Sequence, residues 1–261
     1  MIDYTDASKV YPDGTIALQH VNLQVAKGEF LAIVGPSGCG KSTLLNVAAG
    51  ILGLTTGEVL FGGEAVKGPN SQVGYITQKD LLLPWRTVAE NIALPLEIRG
   101  YSKAARADRV SKVIDQVGLQ GFGSRYPSQL SGGMRKRVGI ARTLAYGPDV
   151  FLMDEPFGSV DAQMRLVLHA EVLRLHQETG GTFVFVTHDL TEALTLADRV
   201  VVMTARPARV RLIEHIDLPR PRDIISVQSA PQFHHYFRKL WVALEQELDV
   251  QPPAMEGDRH A

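Results

Sequence analysis

A glycine-rich stretch near the start of the chain has the residue types that can hold a chain of phosphates. Its sequence, GPSGCGKS (residues 35–42), fits G-x-x-x-x-G-K-[ST] at every fixed position and stands between a strand-like and a helix-like segment. Glycines let backbone N–H groups converge on phosphate oxygens, and the start of a helix adds partial positive charge. Lys41 is expected to reach the β- and γ-phosphates, and the Ser42 hydroxyl to bind Mg²⁺. The stretch predicts a nucleoside triphosphate site formed by Gly35, Pro36, Ser37, Gly38, Cys39, Gly40, Lys41, Ser42 and Thr43.

Cys39 lies inside this loop and is the single cysteine of the chain, which excludes an intramolecular disulfide and a cysteine-based zinc cluster. One interpretation is a redox-sensitive thiol whose pKa is lowered by the start of the helix. The other is a small residue whose backbone N–H matters and whose side chain does not. We favour the second, because one thiol has no resolving partner in this chain.

Two adjacent carboxylates end the apolar segment DVFLMDEP (residues 149–156). The carboxyl ends of strands are where α/β sheets place ligands, and successive side chains point in opposite directions, so the two acids should differ in role. Asp154 is expected to hold Mg²⁺, directly or through water, and Glu155 to orient and deprotonate the attacking water. The alternative is a pair that caps the next turn, which the presence of the phosphate loop disfavours.

The next strand-like segment, TFVFVTHD (residues 182–189), ends in a similar way at His188. A histidine at the end of a buried strand is often a structural residue with its hydrogen bonds satisfied. Its expected place beside the γ-phosphate favours a donor role instead.

A second glycine-rich helix start, LSGGMRKR (residues 130–137), stands far downstream of the first. Two adjacent glycines weaken a helix unless the backbone there has a special task. The N-terminus of a helix is also an anion-binding site. One chain therefore carries two phosphate-binding signals, and the second needs an explanation.

Strand-like and helix-like segments alternate along the rest of the chain, which favours a mainly parallel sheet covered by helices on both faces. Residues 55–64 (TTGEVLFGGE) predict an antiparallel hairpin with glycine turns. Residues 79–146 carry helical patterns without a strong strand signal and predict an inserted helical subdomain. We expect the main domain to span residues 1–215, followed in residues 216–261 by a proline-rich link, a last helix and a frayed tail.

The composition indicates an ordinary globular protein, with 45% apolar and 21% charged residues. The formal net charge of -1 gives no support for nucleic-acid binding. The N-terminal segment lacks a basic region followed by an apolar one, so no signal peptide is predicted. The apolar runs are far shorter than the roughly 18 residues of a membrane-spanning helix. We expect a soluble, cytoplasmic chain that reaches a membrane through a partner.

Six motifs occur in one order, GPSGCGKST, YITQ, LSGG, FLMDEP, SVDA and VTHD. Together they resemble the nucleotide-binding subunit of ATP-binding-cassette (ABC) transporters over essentially residues 1–215. The resemblance implies a P-loop NTPase core with a mainly parallel sheet, an antiparallel β subdomain and an inserted helical subdomain. It also implies two subunits facing each other head to tail. Each ATP then lies between the phosphate loop of one subunit and the LSGG helix start of the other.

The same resemblance implies roles for single residues. Tyr11 would stack on adenine, Gln78 would sense Mg²⁺ or water and link the site to a membrane partner, and Asp161 would communicate across the dimer. His188 would contact the γ-phosphate. The trans site would be formed by Ser131, Gly132, Gly133 and Met134. This agrees with the physics, because a γ-phosphate held by one loop is still exposed and a second helix start would complete its coordination.

Two departures from the family pattern accompany these motifs. Met134 follows LSGG where the family most often has glutamine, and Ser159 and Val160 replace a commoner alanine–leucine pair. Neither change removes a catalytic group, so we expect both to tune the interface between subunits.

The segment QKDLLLPWRTVAENIALPLEIRG (residues 78–100) is similar to the importer branch that serves nitrate, sulfonates and taurine. LSGGMRKR and LPRPRD fit the same branch. In that interpretation residues 83–86 line a groove for a short cytoplasmic helix of a membrane-spanning permease subunit, with a solute-binding protein acting indirectly. The alternative is that Leu81, Leu82, Leu83 and Trp85 belong to the core, and we favour docking.

The last helix-like segment has apolar residues at 233, 237, 240, 241, 244 and 248, a helical stripe that we expect to pack on its own domain rather than on a partner. The adjacent His234 and His235 do not share a helix face and are not expected to bind metal.

Two other functional classes compete with an importer ATPase. A soluble ABC ATPase acting on nucleic acid or ribosomes typically has a coiled-coil insertion, zinc cysteines or two fused cassettes, and the sequence contains none of these. A phosphotransferase would leave LSGG unexplained. The expected cofactors are therefore ATP and Mg²⁺, the second ATP-binding subunit is expected to be a copy of this chain, and the solute is not named by the sequence.

Overall fold

The computed structural model describes residues 1–158 and 160–248, and its elements follow the order expected for an α/β core. The strands are β1 (Ile2–Val10), β2 (Ile16–Val25), β3 (Phe30–Val34), β4 (Thr56–Phe61), β5 (Glu64–Ala65), β6 (Val73–Ile76), β7 (Val150–Asp154), β8 (Thr182–Val186), β9 (Arg199–Met203) and β10 (Val210–His215). The helices are α1 (Lys41–Ala48), α2 (Val88–Ile98), α3 (Lys103–Gln116), α4 (Gly132–Ala145), α5 (Ala162–Thr179), α6 (Leu190–Leu196) and α7 (Pro231–Leu248). Short 3₁₀ turns span Pro127–Gln129 and Ser226–Ser229.

In the six-stranded sheet, the three strands whose ends carry the predicted site residues lie next to one another. Its order is β10-β9-β3-β8-β7-β6, and every pair except β10 with β9 is parallel. The phosphate loop follows β3, His188 follows β8, Asp154 ends β7 and Glu155 comes directly after it. Because parallel strands finish at the same edge, these groups converge although the phosphate loop is more than a hundred residues from the other two strand ends in sequence.

The central strand β3 shows why the sheet must be covered on both faces. Phe30, Ala32 and Val34 pack into one buried cluster, whereas Leu31 and Ile33 pack into another. The first cluster also contains the helices that follow β6, and the second contains α1 and the antiparallel strands. A continuous apolar strand is thus explained by alternate side chains entering two different cores.

A separate four-stranded antiparallel sheet has the order β2-β1-β4-β5. The predicted hairpin is confirmed, with β4 and β5 joined at the adjacent Gly62 and Gly63. Its partners β1 and β2 were not singled out from the sequence, because bulges interrupt their alternation of apolar and polar residues.

The chain between β6 and β7 is helical. Helix α2 starts with a reciprocal capping box between Thr87 and Glu90, and α4 starts at the LSGG stretch with Ser131 as its N-cap. Val138, Ile140 and other apolar residues of α4 are buried against the core. The second glycine-rich helix start is therefore held by a well-packed helix.

The proline-rich segment after β10 is packed rather than extended into solvent. Ile216 and Leu218 are buried in the same hydrophobic cluster as the apolar residues of α2, α3 and α4. The buried Arg222 donates to the carbonyl groups of Leu194 and Ala197, at 3.3 and 2.6 Å, and so caps the end of α6.

Helix α7 packs on its own domain, as expected, through the buried side chains of Phe233, Leu240 and Leu244. The expectation was wrong for Trp241, which is 43% exposed and stacks on Phe237 instead of entering the core. The frayed tail expected after this helix lies outside the described residues.

Within the described part of the chain no helix is long and apolar enough to span a bilayer. The same residues contain no group of three or more histidine, cysteine, aspartate or glutamate side chains arranged to hold a metal ion by themselves.

Candidate nucleotide site

The phosphate loop leads directly from β3 into α1. Gly38 and Gly40 take left-handed conformations that other residues avoid, and at Gly40 (φ 135°) an added Cβ would lie 2.7 Å from the Ala17 carbonyl oxygen. Helix α1 begins at Lys41, and Gly40 as its N-cap provides no side-chain acceptor. The first N–H groups of α1 are therefore free to bind an anion.

The Lys41 side chain is buried and folds over the loop. Its Nζ donates to the carbonyl oxygens of Gly35 at 2.8 Å and Pro36 at 2.9 Å. This places a positive charge against the same backbone that the sequence assigns to phosphate.

Cys39 is 2% exposed, and burial raises the pKa of its thiol. This shift is opposite to that of a reactive thiolate. The thiol packs against the loop, since a Cβ added at Gly35 would lie 3.2 Å from its Sγ. The geometry favours the packing role over redox sensing.

Asp154, the last residue of β7, is in hydrogen-bond contact with Ser42, in the first turn of α1. Ser42 Oγ donates to Asp154 Oδ1 at 3.0 Å, and the Tyr75 hydroxyl lies 3.5 Å from Oδ2. Burial raises the pKa of Asp154, and the negative charge of Glu155 acts in the same direction. A partly buried carboxylate with an oxygen neighbour has the hard donors that Mg²⁺ prefers, so Ser42 and Asp154 fit the predicted ion.

Glu155 and His188, which follow the adjacent strands β7 and β8, are in contact with each other. His188 Nδ1 lies 3.3 Å from Glu155 Oε2, and the histidine side chain is 60% exposed while Glu155 is only partly exposed. Glu155 has a left-handed backbone (φ 44°), as the chain turns sharply at the end of β7. The side chain of Gln78 is close by, because a Cβ built on Gly158 would lie 3.2 Å from Gln78 Nε2 and 4.0 Å from Glu155 Oε2.

An open cleft of about 270 Å³ runs along the phosphate loop. Tyr11, Lys41, Ser42 and Glu155 line it, and the Tyr11 hydroxyl is fixed 3.1 Å from Thr43 Oγ1. A larger cavity of about 490 Å³ lies at the opposite ends of β7 and β8 and contains none of the predicted site residues.

Sequence reasoning missed Arg206, which also lines the cleft. It lies in the loop after β9, where TARPAR resembles no phosphate-binding pattern. Only the position of β9 beside β3 brings it to the phosphate loop.

The LSGG helix start does not belong to this cleft, whose lining contains none of residues 131–134. Ser131 caps α4 by accepting from the Met134 N–H at 3.3 Å. A Cβ on Gly132 would meet nothing closer than Arg135 Nη2 at 3.8 Å, whereas one on Gly133 would lie 2.4 Å from Met164 Sδ. A side chain at position 133 would therefore displace Met164, whereas one at position 132 would make only an ordinary contact.

The loop after β6 is held by basic residues of α4, which the sequence did not predict. The buried Lys136 donates to the carbonyl oxygen of Gln78 and lies 3.0 Å from Asp80 Oδ1. Arg142 donates to the Leu81 carbonyl oxygen at 2.9 Å. These contacts join the second glycine-rich helix to the loop that carries Gln78.

The same loop presents apolar side chains to solvent. Leu81 is 60% exposed and Trp85 is 70% exposed, while Leu82 packs on the core. The core interpretation therefore holds for Leu82 and is wrong for Leu81 and Trp85.

Asp161, predicted to act across a dimer, caps α5 by accepting from the Met164 N–H at 2.9 Å. Its neighbour Val160 packs against the core. Ser159, the other departure from the family pattern, lies outside the described residues.

Comparisons with known proteins identify the family of this chain. The family model described as ABC transporter matches residues 18–158. An uncharacterised ABC transporter ATP-binding protein of Methanocaldococcus jannaschii is 49% identical over 89% of this chain and 85% of that protein. The aliphatic sulfonates import ATP-binding protein SsuB of Bacillus licheniformis is 45% identical over 87% of this chain and 86% of that protein.

Among solved structures, the ATP-binding cassette MJ0796, a dimer in a post-hydrolysis state bound to ADP and Pi, aligns with a TM-score of 0.73 and 32% identity. The alignment covers 84% of this chain and 100% of that one. Its fold confirms the predicted fold class. The chain therefore belongs to the ABC transporter family, as an ATP-binding subunit that hydrolyses ATP.

Proposed function

We propose that this subunit powers an importer by pairing head to tail with a second copy of itself around two ATP molecules. The observation that carries the proposal is the separation of the two phosphate-binding helix starts. The phosphate loop lines the cleft, whereas the LSGG start lies outside it and exposes Gly132. A partner would bring its own LSGG start to the γ-phosphate, so ATP would act as an interfacial ligand that its own hydrolysis destroys.

Each residue of the cis site has a role in this scheme. Lys41 and the N–H groups of α1 bind the phosphates, and Tyr11 stacks on adenine. Ser42 and Asp154, with Gln78 as a further candidate ligand, would hold Mg²⁺, which would supply positive charge for the phosphate oxygens. Glu155 takes the proton of the attacking water, and His188 donates to the γ-phosphate.

In the trans site, the Ser131 hydroxyl can donate to the γ-phosphate while its oxygen still caps Met134. Met134 stands at the lip of the site and leaves the backbone donors in place. Asp161, fixed at the start of α5, communicates between the two sites.

The proposed partner is a membrane-spanning permease subunit that docks on Leu81 and Trp85. Two exposed apolar side chains on a loop that is tied to α4 suit a docking role, because movement of either element would be passed to the other. The chain would then lie on the cytoplasmic face of the membrane as a peripheral subunit. A solute-binding protein would contribute indirectly, and no nucleic acid is involved.

The proposed solute is a small anion or zwitterion of the nitrate, sulfonate and taurine class. The motif LLPW-R-T-V-x-E-N and the identity with a sulfonate import protein support this class. The permease and binding protein would choose among its members, so screening ATPase activity of the reconstituted complex with these solutes identifies the cargo.

Glu155→Gln tests the catalytic assignment. The variant should bind ATP and dimerise but hydrolyse ATP at least about a hundredfold more slowly, the weight of a general base. Single-turnover hydrolysis and size-exclusion chromatography with ATP measure the two properties. Turnover near that of the wild type would refute the role of Glu155, and a monomer in the presence of ATP would refute the interfacial role of the nucleotide.

A further inference from the structure

The loop that follows β9 forms one wall of the nucleotide cleft. Residues 204–208 are held against β2, because the Ala208 N–H donates to the Ala17 carbonyl at 3.0 Å and the Gln19 N–H donates to the Ala208 carbonyl at 3.0 Å. A Cβ on Gly40 would lie 3.2 Å from the Cβ of Ala208. The loop is therefore fixed beside the phosphate loop rather than free in solvent.

Arg206 extends from this wall into the cleft. Its Nη2 donates to the Gly38 carbonyl oxygen at 2.7 Å, and the residue is exposed. A guanidinium has five N–H donors in a planar fork, so one bond to a carbonyl leaves most of them available. Those donors share the cleft with Tyr11 and Lys41.

The turn that carries Tyr11 and Thr15 lines the same cleft as Arg206. The backbone N–H of Thr15 is the main cause that lowers the pKa of Asp13, and the positive charge of Arg206 acts in the same direction. Asp13 belongs to the turn between Tyr11 and Thr15, and the Thr15 N–H donates to its Oδ1 at 2.9 Å. Glu155, assigned to the attacking water, lines this cleft too, whereas His188 is not part of the lining.

We propose that Arg206 is a further nucleotide-binding residue that contacts the phosphates common to ATP and ADP. The proposal rests on the cleft being the ATP site of the proposed function. A fork of N–H donors matches phosphate oxygens in geometry and charge. Lys41 is bound at Gly35 and Pro36 and Arg206 at Gly38, so two cations held at different points of the loop would contact the phosphate chain.

Arg209 provides a matched control from the same loop. It is also exposed, but its guanidinium donates to Gln19 Oε1, at 3.2 Å from Nε and 2.6 Å from Nη2. It is not part of the cleft lining. Removing Arg209 changes the net charge of the protein as much as removing Arg206 does, without changing the cleft.

The test measures equilibrium binding of MgATP and MgADP to the wild type, Arg206→Ala, Arg206→Lys and Arg209→Ala. Arg206→Ala should weaken both nucleotides by about tenfold, the usual scale of one charge-assisted contact. Arg206→Lys, which keeps the charge and loses the fork, should fall between Arg206→Ala and the wild type. Arg209→Ala should bind like the wild type.

The salt dependence of nucleotide affinity shows whether Arg206 contacts the nucleotide directly or only supports the phosphate loop. Affinity of the wild type for MgADP should fall more steeply with rising salt than that of Arg206→Ala, because an exposed contact between charges is screened. Thermal melting checks folding, and Arg206→Lys gives the test if Arg206→Ala does not fold.

Three results would overturn the proposal: unchanged affinity in Arg206→Ala, loss of ATP binding with normal ADP binding, or a weakened affinity whose salt dependence matches that of the wild type. A wild type that binds neither nucleotide would instead refute the proposed function.

Discussion

The two glycines of LSGG should respond in opposite ways to the same methyl group. In Gly133→Ala the added Cβ would lie 2.4 Å from Met164 Sδ and 2.6 Å from its Cγ. Carbon and sulfur atoms in contact are normally more than about 3.5 Å apart, so Met164 must move by about 1 Å. In Gly132→Ala the nearest atom is 3.8 Å away. The two neighbouring positions thus form an internal comparison.

The expected magnitudes follow from these distances. Overpacking costs about 1–3 kcal/mol, and replacing glycine by alanine in a helix gains about 0.5–1 kcal/mol. Gly133→Ala should therefore lower the free energy of unfolding by about 0.5–2 kcal/mol. Gly132→Ala should leave it unchanged or raise it by up to about 1 kcal/mol.

Urea unfolding without nucleotide, followed by circular dichroism, measures the difference as a shift of the midpoint at constant slope. Met164→Ala should remove most of the penalty of Gly133→Ala, with a coupling of at least about 1 kcal/mol in a double-mutant cycle. Equal stability of the two alanine variants, or additive effects of Gly133→Ala and Met164→Ala, would contradict the steric argument. If the trans site is real, Gly132→Ala should fold normally and still hydrolyse ATP more slowly, because its methyl group stands at the open helix start.

Three further predictions concern other parts of the subunit. Ser131→Arg should bind ATP as tightly as the wild type in equilibrium titrations but should neither dimerise nor hydrolyse it, and an active variant would refute the trans site. Burial lowers the pKa of His176. At this position the unfolded chain therefore takes up a proton near pH 6.5 that the folded state resists, so the contribution of His176 to the free energy of unfolding should be constant above that pH and fall below it. His176→Gln should flatten this profile in urea titrations, and an unchanged profile would exclude His176 as its cause. Trp85→Ala should reduce copurification with the permease while Trp241→Ala, an exposed tryptophan on α7, should not; equal retention by both variants would count against docking at Trp85.

The sequence was sufficient to predict those features that depend only on a few consecutive residues. The phosphate loop, the acidic end of β7, the hairpin of β4 and β5 and the helix start at LSGG could all be predicted, because each depends on residues within one turn or one strand. Strands β1 and β2 could not, since their bulges break the alternation that marks a strand. Trp241 was wrongly assigned to the buried face of α7, because helical spacing does not show how much of a helix surface the rest of the domain covers.

The sequence by itself determined the identity of the chemical groups: a phosphate loop, a pair of strand-end carboxylates, a histidine and a second glycine-rich helix start. Tertiary structure alone decided which of them meet. The strand order β3-β8-β7 brings Ser42 to Asp154 and His188 to Glu155, because parallel strands end at one edge of the sheet. The placement of β9 adds Arg206 to the cleft, and the packing of Met164 separates the local need for Gly133 from the freedom of Gly132. These distinctions depend on contacts between residues far apart in the chain, which no short motif records.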